Sequence, residues 1–268
     1  MTPSSAQRIP EIPTPAGALA GRRALVTGGA GGLGSGIGKA VAAAGGHVVL
    51  ADVDEAGLER VVGEITEAGG SAEAWPVDLS DTAALADLRL EVDILVNNAG
   101  IQHVQPLHEF DVAKWQLIQQ LMLTAPFLLT RAALPHMYAS GWGRIINISS
   151  AHGLRASEYK SAYVSAKHGL EGLSKVTALE GAPHGVTSNC INPGYVWTPL
   201  VEQQLKDQAA THGMSEEEVA EQVMLKKQAL KQFASVEAIA QAVLFCCGPH
   251  SSSMTGANLV IDGGWSAQ

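Results

Sequence analysis

Tyr163 and Lys167 stand four residues apart in an Ala- and Ser-rich stretch of helical spacing, so both side chains project from one face. A tyrosine with an ordinary pKa of about 10 is a poor base at neutral pH, and an ammonium beside it favours the phenolate. The pair suits proton transfer at a substrate oxygen. Ser150, in a loop after an apolar run, is placed to hold that oxygen while Tyr163 exchanges its proton. Taken alone, a tyrosine and a lysine at this spacing also occur on solvated helix faces.

A second cluster suits a dinucleotide. Val26-Thr27-Gly28-Gly29-Ala30-Gly31-Gly32-Leu33-Gly34 follows the first apolar run and opens a helix. Glycines at such a turn let the backbone approach a pyrophosphate, and the helix N-terminus supplies N–H donors and a positive end. Asp52, ending the second apolar run, can accept both ribose hydroxyls. Its charge would repel a 2′-phosphate, and Gly29–Gly31 offers no Arg or Lys to receive one, so NAD is the expected cofactor. The plainer readings are a flexible turn and, for Asp52, a cap on the helix beginning near Asp54. An oxidised, positive nicotinamide would join Lys167 in favouring a Tyr163 phenolate.

These groups need a scaffold that gathers strand ends. From Arg22 onward, short β-branched runs alternate with longer Ala/Leu/Glu-rich stretches, the pattern of βαβ units building a parallel sheet. Seven strands are expected, near 24–27, 47–51, 72–77, 94–96, 143–148, 187–191 and 258–261. Their mostly apolar character suits a sheet covered on both sides. The expected class is α/β, a doubly wound Rossmann-type seven-stranded parallel sheet with helices on both faces. Long helices are expected around 111–138 and 157–180, and a small helical substrate lid at about 198–233, where the chain turns polar and Gln/Lys/Glu-rich. Residues 1–20 read as a flexible tail, leaving 21–268 as a single domain.

Composition narrows the function classes. Of 268 residues, 46% are hydrophobic and 16% charged, enough apolar surface for one large core. A net charge of −9 without a basic run argues against nucleic acid as a partner. No uninterrupted apolar stretch of membrane-spanning length occurs, because Pro126 and Arg131 break the best candidate at 121–134. Cys190, Cys246 and Cys247 form no C-x-x-C pair and read as reduced core residues, which with the absence of a leader-like start points to a cytoplasmic protein. No metal site is assigned.

Thr27-Gly28-x-x-x-Gly32-x-Gly34, Asn97-Asn98-Ala99-Gly100, Ser150, Tyr163-x-x-x-Lys167 and Pro193-Gly194 together resemble the short-chain dehydrogenase/reductase family, over nearly everything from Gly21 onward. That resemblance implies catalysis by Ser150, Tyr163 and Lys167. It places Gly28, Gly32, Leu33, Gly34, Asp52, Asn97, Ala99, Tyr163, Lys167, Pro193 and Gly194 around the cofactor, with Asp78 and Leu79 flanking the adenine and Val196 and Thr198 holding the carboxamide. Longer strings are similar to the bacterial D-3-hydroxybutyrate dehydrogenases of that family: Ile101-Gln102-His103, Ser150-Ala151-His152-Gly153-Leu154, Lys160-Ser161-Ala162-Tyr163, Thr198-Pro199-Leu200-Val201-Glu202 and Asp262-Gly263-Gly264-Trp265. By that likeness Gln102, His152, Lys160 and Gln204 bind a substrate carboxylate beside Ser150 and Tyr163. One Lys with neutral donors supplies charge-assisted hydrogen bonds without excess charge. The implied reaction is reversible hydride transfer between NAD and C3 of a small 3-hydroxy acid such as (R)-3-hydroxybutyrate, by a homotetramer.

Three departures qualify the likeness. Met122 stands where the family has a water-ordering Asn, and a thioether cannot replace an amide as donor, although Gln119 lies nearby. The connection 79–92 is too short for the usual helix. Tyr195 replaces the Trp of the nearest relatives. A family member acting on another secondary alcohol or a sugar, and a non-catalytic NAD-binding protein, are the rival readings.

Overall fold

The computed structural model describes residues 17–267. Within them the chain runs β1 (Arg23–Thr27), α1 (Gly32–Ala43), β2 (His47–Asp52), α2 (Glu55–Glu67), β3 (Ser71–Pro76), β4 (Ile94–Asn97), α3 (Val112–Gln119), α4 (Ala125–Ser140) and β5 (Gly143–Ile148). It continues through α5 (Ser161–Gly181), β6 (Val186–Pro193), α6 (Pro199–His212), α7 (Glu216–Val219), α8 (Val236–Cys247) and β7 (Asn258–Ile261). The seven expected strands are these seven. They pair in parallel in the order β3-β2-β1-β4-β5-β6-β7, which reverses between β1 and β4. A crevice forms at such a reversal, outside the carboxyl ends of the strands.

The inner strands are buried on both faces because they carry apolar residues on both sides, whereas the edge strands β3 and β7 are more exposed. Ala24 and Val26 of β1, Val48 and Leu50 of β2, and Ile94 and Val96 of β4 meet Ile37 and Val41 of α1, Leu58 and Val61 of α2, and Ile239 and Val243 of α8. The alternate positions, Leu25, Val49, Ala51, Leu95 and Ile145, meet Leu128, Leu129, Ala133 and Met137 of α4. Cys190, Cys246 and Cys247 are buried and unpaired, as expected.

The short connection after β3 forms turns in place of a covering helix. Leu79, Leu85 and Val92 nevertheless fill the second core layer, and the loop is pinned to α4 by Arg131 Nη1 donating to the Ala86 carbonyl at 2.8 Å and by Leu90 N donating to the Ala132 carbonyl at 3.1 Å. Of the expected tail, residues 1–16 lie outside the described residues. Gly17–Ala20 do not extend it: they form a turn whose Leu19 is 3% exposed and donates its N–H to the Ala44 carbonyl at 2.8 Å. Leu19 gains burial that a free tail would forgo.

The long helix expected at 111–138 is α3 and α4 joined by a π turn at Gln120–Thr124. Asp111 caps its start by accepting from Lys114 N, and Gly141 in a left-handed conformation ends it. The irregularity has a covalent cause, since Pro126 has no N–H to give the Met122 carbonyl four residues back.

Candidate functional site

At the open end of β1, Gly28 adopts φ +69° and sits so close to Asn98 that a Cβ would lie 2.8 Å from the Asn98 amide nitrogen. A Cβ on Gly34 would collide with the Gly28 carbonyl, so α1 reaches the turn only because position 34 has none. Thr27 Oγ1 accepts from Asn98 N at 2.9 Å and Ala99 N at 3.0 Å, which ties the ends of β1 and β4 together. The cradle is thus preshaped for a phosphate approaching backbone.

Asp52 ends β2 beside this turn. Its Oδ2 accepts from Ala30 N at 3.1 Å, and Oδ1 from Val53 N at 2.8 Å and Asp54 N at 3.2 Å. The cap of α2 is Asp54, whose Oδ1 accepts from Gly57 N at 3.0 Å, so the capping alternative for Asp52 does not apply. Arg60 donates to the Ala30 carbonyl at 2.9 Å, with its charge shared with Glu64 at 2.8 Å. That cation lies by the glycine turn although the turn itself holds none.

Other residues implied for the cofactor lie around the same crevice in different ways. Asp78 is exposed, and Ser80 donates to it through both N (2.8 Å) and Oγ (2.7 Å), which keeps its carboxyl below the usual range. The Leu79 side chain is core. Asn97 points its amide at Asn147 Oδ1, 2.8 Å away within the sheet, and Asn98 makes the contacts to the glycine turn. Gly194 follows β6 with Pro193 against Asp262, Val196 bridges to Ala234, and Thr198 caps α6 by accepting from Val201 N. Leu33 packs on the first core layer.

The second cluster is built on α5 and the end of β5. Tyr163 and Lys167 share a face of α5, with the Lys167 Nζ 5.7 Å from the Tyr163 ring centroid and donating to the Ile148 carbonyl at 2.6 Å. Burial pulls the Lys167 pKa down to about 8, opposed by Cys190 and Glu171. Burial raises the Tyr163 pKa and the Ser150 hydroxyl offsets part of that. In the protein alone, then, the expected depression of Tyr163 is not present, because desolvation of the phenol dominates. Met122 in the π turn packs with Ile118, Ala162, Ala166 and Tyr163, an apolar wall where an amide would stand, while Gln119 Nε2 donates to the Ala162 carbonyl at 2.9 Å.

The candidate carboxylate group is only partly assembled. His152 is 6% exposed, edge-on to Tyr163 at 5.8 Å and to Trp265 at 4.7 Å, and its Nδ1 lies 3.4 Å from Ser150 Oγ. Lys160 starts α5 and is half-buried, which lowers its pKa, with Lys227 adding to the effect. It follows Tyr159, a non-glycine residue at φ 65° whose carbonyl accepts from Gln105 N at 2.9 Å. A side chain in that region costs roughly 1–2 kcal/mol, a strain located where the 102–105 loop meets Lys160. Gln102 and Gln204 are both exposed, on that loop and on α6.

Sequence reasoning missed Lys227, inside the polar lid stretch. Its Nζ lies 5.5 Å from the Trp265 ring centroid and donates to Ser157 Oγ at 3.3 Å, bordering a cleft of about 760 Å³ walled by Ala156, Ser157, Glu158 and Tyr159. Its Lys-Lys-Gln context at 226–228 gave no spacing signal. Tyr195 lies with Leu205, Val219, Met224 and Phe233 at the base of the lid.

The family model described as short chain dehydrogenase matches residues 22–209. The chain belongs to this family. It is 45% identical to the D-beta-hydroxybutyrate dehydrogenase of Rhizobium meliloti (strain 1021) over 258 residues, 92% of this chain and 99% of that one. It is 42% identical to the D-beta-hydroxybutyrate dehydrogenase of Cupriavidus necator over 259 residues, 93% of this chain and 100% of the relative. A solved structure of a putative 2-deoxy-D-gluconate 3-dehydrogenase from Agrobacterium tumefaciens with bound NADP superimposes with a TM-score of 0.83 at 34% identity, covering 93% and 98% of the two chains. As a short-chain dehydrogenase, the chain is an oxidoreductase whose crevice residues fit a nicotinamide dinucleotide.

The burial of His152 has a measurable consequence for this dehydrogenase. Desolvation, with Lys160 and Lys227 second, lowers its pKa from 6.5 to about 4. The unfolded chain takes up this proton below about pH 6.5 and the folded one only near the lower value, so the stabilisation is present above 6.5 and lost as pH falls toward 4. Between pH 7 and 5 this costs on the order of 2 kcal/mol. H152Q is expected to show a smaller fall in Tm over that interval than wild type, measured by thermal melts; equal falls would mean His152 does not carry the term.

Proposed function

We propose that this short-chain dehydrogenase interconverts (R)-3-hydroxybutyrate and acetoacetate using NAD. The observation that carries the reading is a buried imidazole, His152, standing edge-on to Tyr163 at 5.8 Å with two ammonium groups, Lys160 and Lys227, close enough to lower its pKa. A short acid with its carboxylate there would bring its C3 oxygen to Tyr163 and Ser150.

In this reading Ser150 donates a hydrogen bond to the C3 oxygen. Tyr163, as phenolate, takes the hydroxyl proton during oxidation and returns it during reduction. Lys167, anchored on the Ile148 carbonyl, keeps a positive charge beside the phenolate and holds the ribose. His152 can carry its proton on Nε2, a buried atom without a partner among the described residues, and donate it to the carboxylate, while the single Ser150 proton, 3.4 Å from Nδ1 in the protein alone, turns to the C3 oxygen when the acid binds. Gln102 and Gln204 complete the grip when the lid closes over the acid. The nicotinamide, when bound, supplies the hydride acceptor for C3. Compositional signs favour a cytoplasmic enzyme. The homotetramer implied by resemblance is supported by large apolar side chains left exposed on α4, α5, α8 and β7, namely Phe127, Leu179, Phe245 and Val260.

The test is NAD-coupled turnover of (R)-3-hydroxybutyrate against gluconate and simple polyols. The acid should be the best substrate; a polyol preferred over it would move the chain to the sugar-oxidising branch. Cofactor choice is tested separately. Asp52 should make kcat/KM higher with NAD than NADP by roughly the one to two powers of ten that a like-charge contact supplies, and D52A should narrow the gap. Wild type using both equally would show that Arg60 outweighs Asp52.

A further inference from the structure

Tyr163, Lys167 and Glu171 follow at one-turn intervals along one face of α5, and Glu171 is as buried as Lys167, at 5% and 4% exposure. Glu171 Oε1 accepts from Asn192 Nδ2 at 2.6 Å, and the same amide nitrogen donates to the Ser150 carbonyl at 3.0 Å. A Cβ on Gly153 would lie 2.7 Å from Glu171 Oε1 and clash with Ser149 Oγ, so a glycine at 153 lets the carboxylate close against the end of β5. Around it, Glu171 Oε2, Asn192 Oδ1 and Ser149 Oγ are buried with no hydrogen-bond partner among the described residues. Such a cluster is costly, and an apolar side chain of similar volume would commonly serve folding as well or better. The cluster that Tyr163 packs against, Ile118, Met122, Ala162 and Ala166, offers no polar side chain.

We infer that Glu171 is a positioning residue for the reaction, its carboxylate holding Lys167 in the ammonium form and, through Asn192, fixing the Ser150 loop. The inference rests on the assignment of Ser150, Tyr163 and Lys167 but not on the identity of the substrate. The titratable groups facing Lys167 are Tyr163 and Glu171 from α5 and Cys190 from β6. Burial, with Glu171 beside it, pushes the Cys190 thiol well up, so it stays neutral and leaves Glu171 as the charge that opposes the desolvation of Lys167. Without that charge the Tyr163–Lys167 pair loses its first proton more easily. The proton that remains is then shared toward Tyr163, away from the reactive phenolate–ammonium form.

The experiment is the pH profile of kcat for wild type, E171Q, E171D, N192S and S174A, with thermal melts of each. The substrate is whichever secondary alcohol the wild type oxidises, so an error about 3-hydroxybutyrate leaves the test intact. E171Q is expected to shift the midpoint to lower pH by about half a unit or more and to lower the plateau about tenfold, with KM for cofactor and alcohol within about twofold. E171D keeps the charge and should keep the midpoint even if its Tm falls. N192S removes the donor that the Ser150 carbonyl and Glu171 share and should lower kcat. S174A removes a buried hydroxyl on the same helix, 2.9 Å from Ser188 Oγ, and should leave the profile unchanged. The inference is overturned by an E171Q profile superimposing on wild type, by an E171D midpoint displaced as far as that of E171Q, or by wild-type kcat in N192S. If E171Q does not fold, an E171D midpoint displaced by half a unit or more from wild type, or wild-type kcat in N192S, overturns the inference.

Discussion

Y163F should abolish measurable turnover while binding NAD as wild type does. In the proposed mechanism the phenolic oxygen exchanges a proton with the substrate, and general acid–base catalysis of this kind is worth roughly 10²–10⁴-fold in rate. The substitution leaves the ring packed against Ile118, Met122, Ala162 and Ala166, so the fold has no cause to change. It leaves Lys167 on the Ile148 carbonyl, a contact that does not pass through the hydroxyl. Single-turnover kinetics with fluorescence titration of NADH would separate the two effects. Retention of most of kcat would remove Tyr163 from the chemistry, and loss of NADH binding would mean the hydroxyl organises the cofactor site instead.

K160A should raise KM for (R)-3-hydroxybutyrate with a much smaller change for its methyl ester. A hydrogen bond to a charged group contributes about 1.5–3 kcal/mol, so the loss is expected at roughly ten- to hundredfold. Lys227 is close enough to lower the proton affinity of Lys160, and in K160A it remains as a second cation near the site, which favours the lower end. The paired substrates matter because a folding defect would weaken both alike. Equal loss on acid and ester would detach Lys160 from the carboxylate.

The fold was legible because it rests on pattern. Strands such as Ile94–Asn97 and Gly143–Ile148 are apolar on both faces, and only a sheet sandwiched between helices satisfies that. Tyr163 and Lys167 were legible because four residues is close to one helical turn, and Asp52 because it ends a strand. The π turn was not, since it arises from a missing donor at Pro126 combined with packing around Met122. Glu171 and Asn192 were hidden for another reason. They sit 21 residues apart in sequence and meet only when α5 lies on β6, so nothing local marks either as more than one polar residue among many. Lys227 likewise reaches the Trp265 ring only through the lid fold. The likeness to related enzymes pointed to Gln102 and Gln204, where the structure shows exposed side chains, so the proposed reading gives them a part only on lid closure.

In the proposed reaction the site recognises a carboxylate one methylene away from the carbon oxidised at Tyr163. The most direct measurement is the wild-type ratio of kcat/KM for (R)-3-hydroxybutyrate to kcat/KM for its methyl ester, with saturating NAD. The ester keeps the reacting alcohol, its stereochemistry and nearly the same shape, and differs in the charge that His152, Lys160 and Lys227 would meet. A ratio of about ten or more in favour of the acid is predicted from one charge-assisted contact; a ratio at or below one would contradict the account.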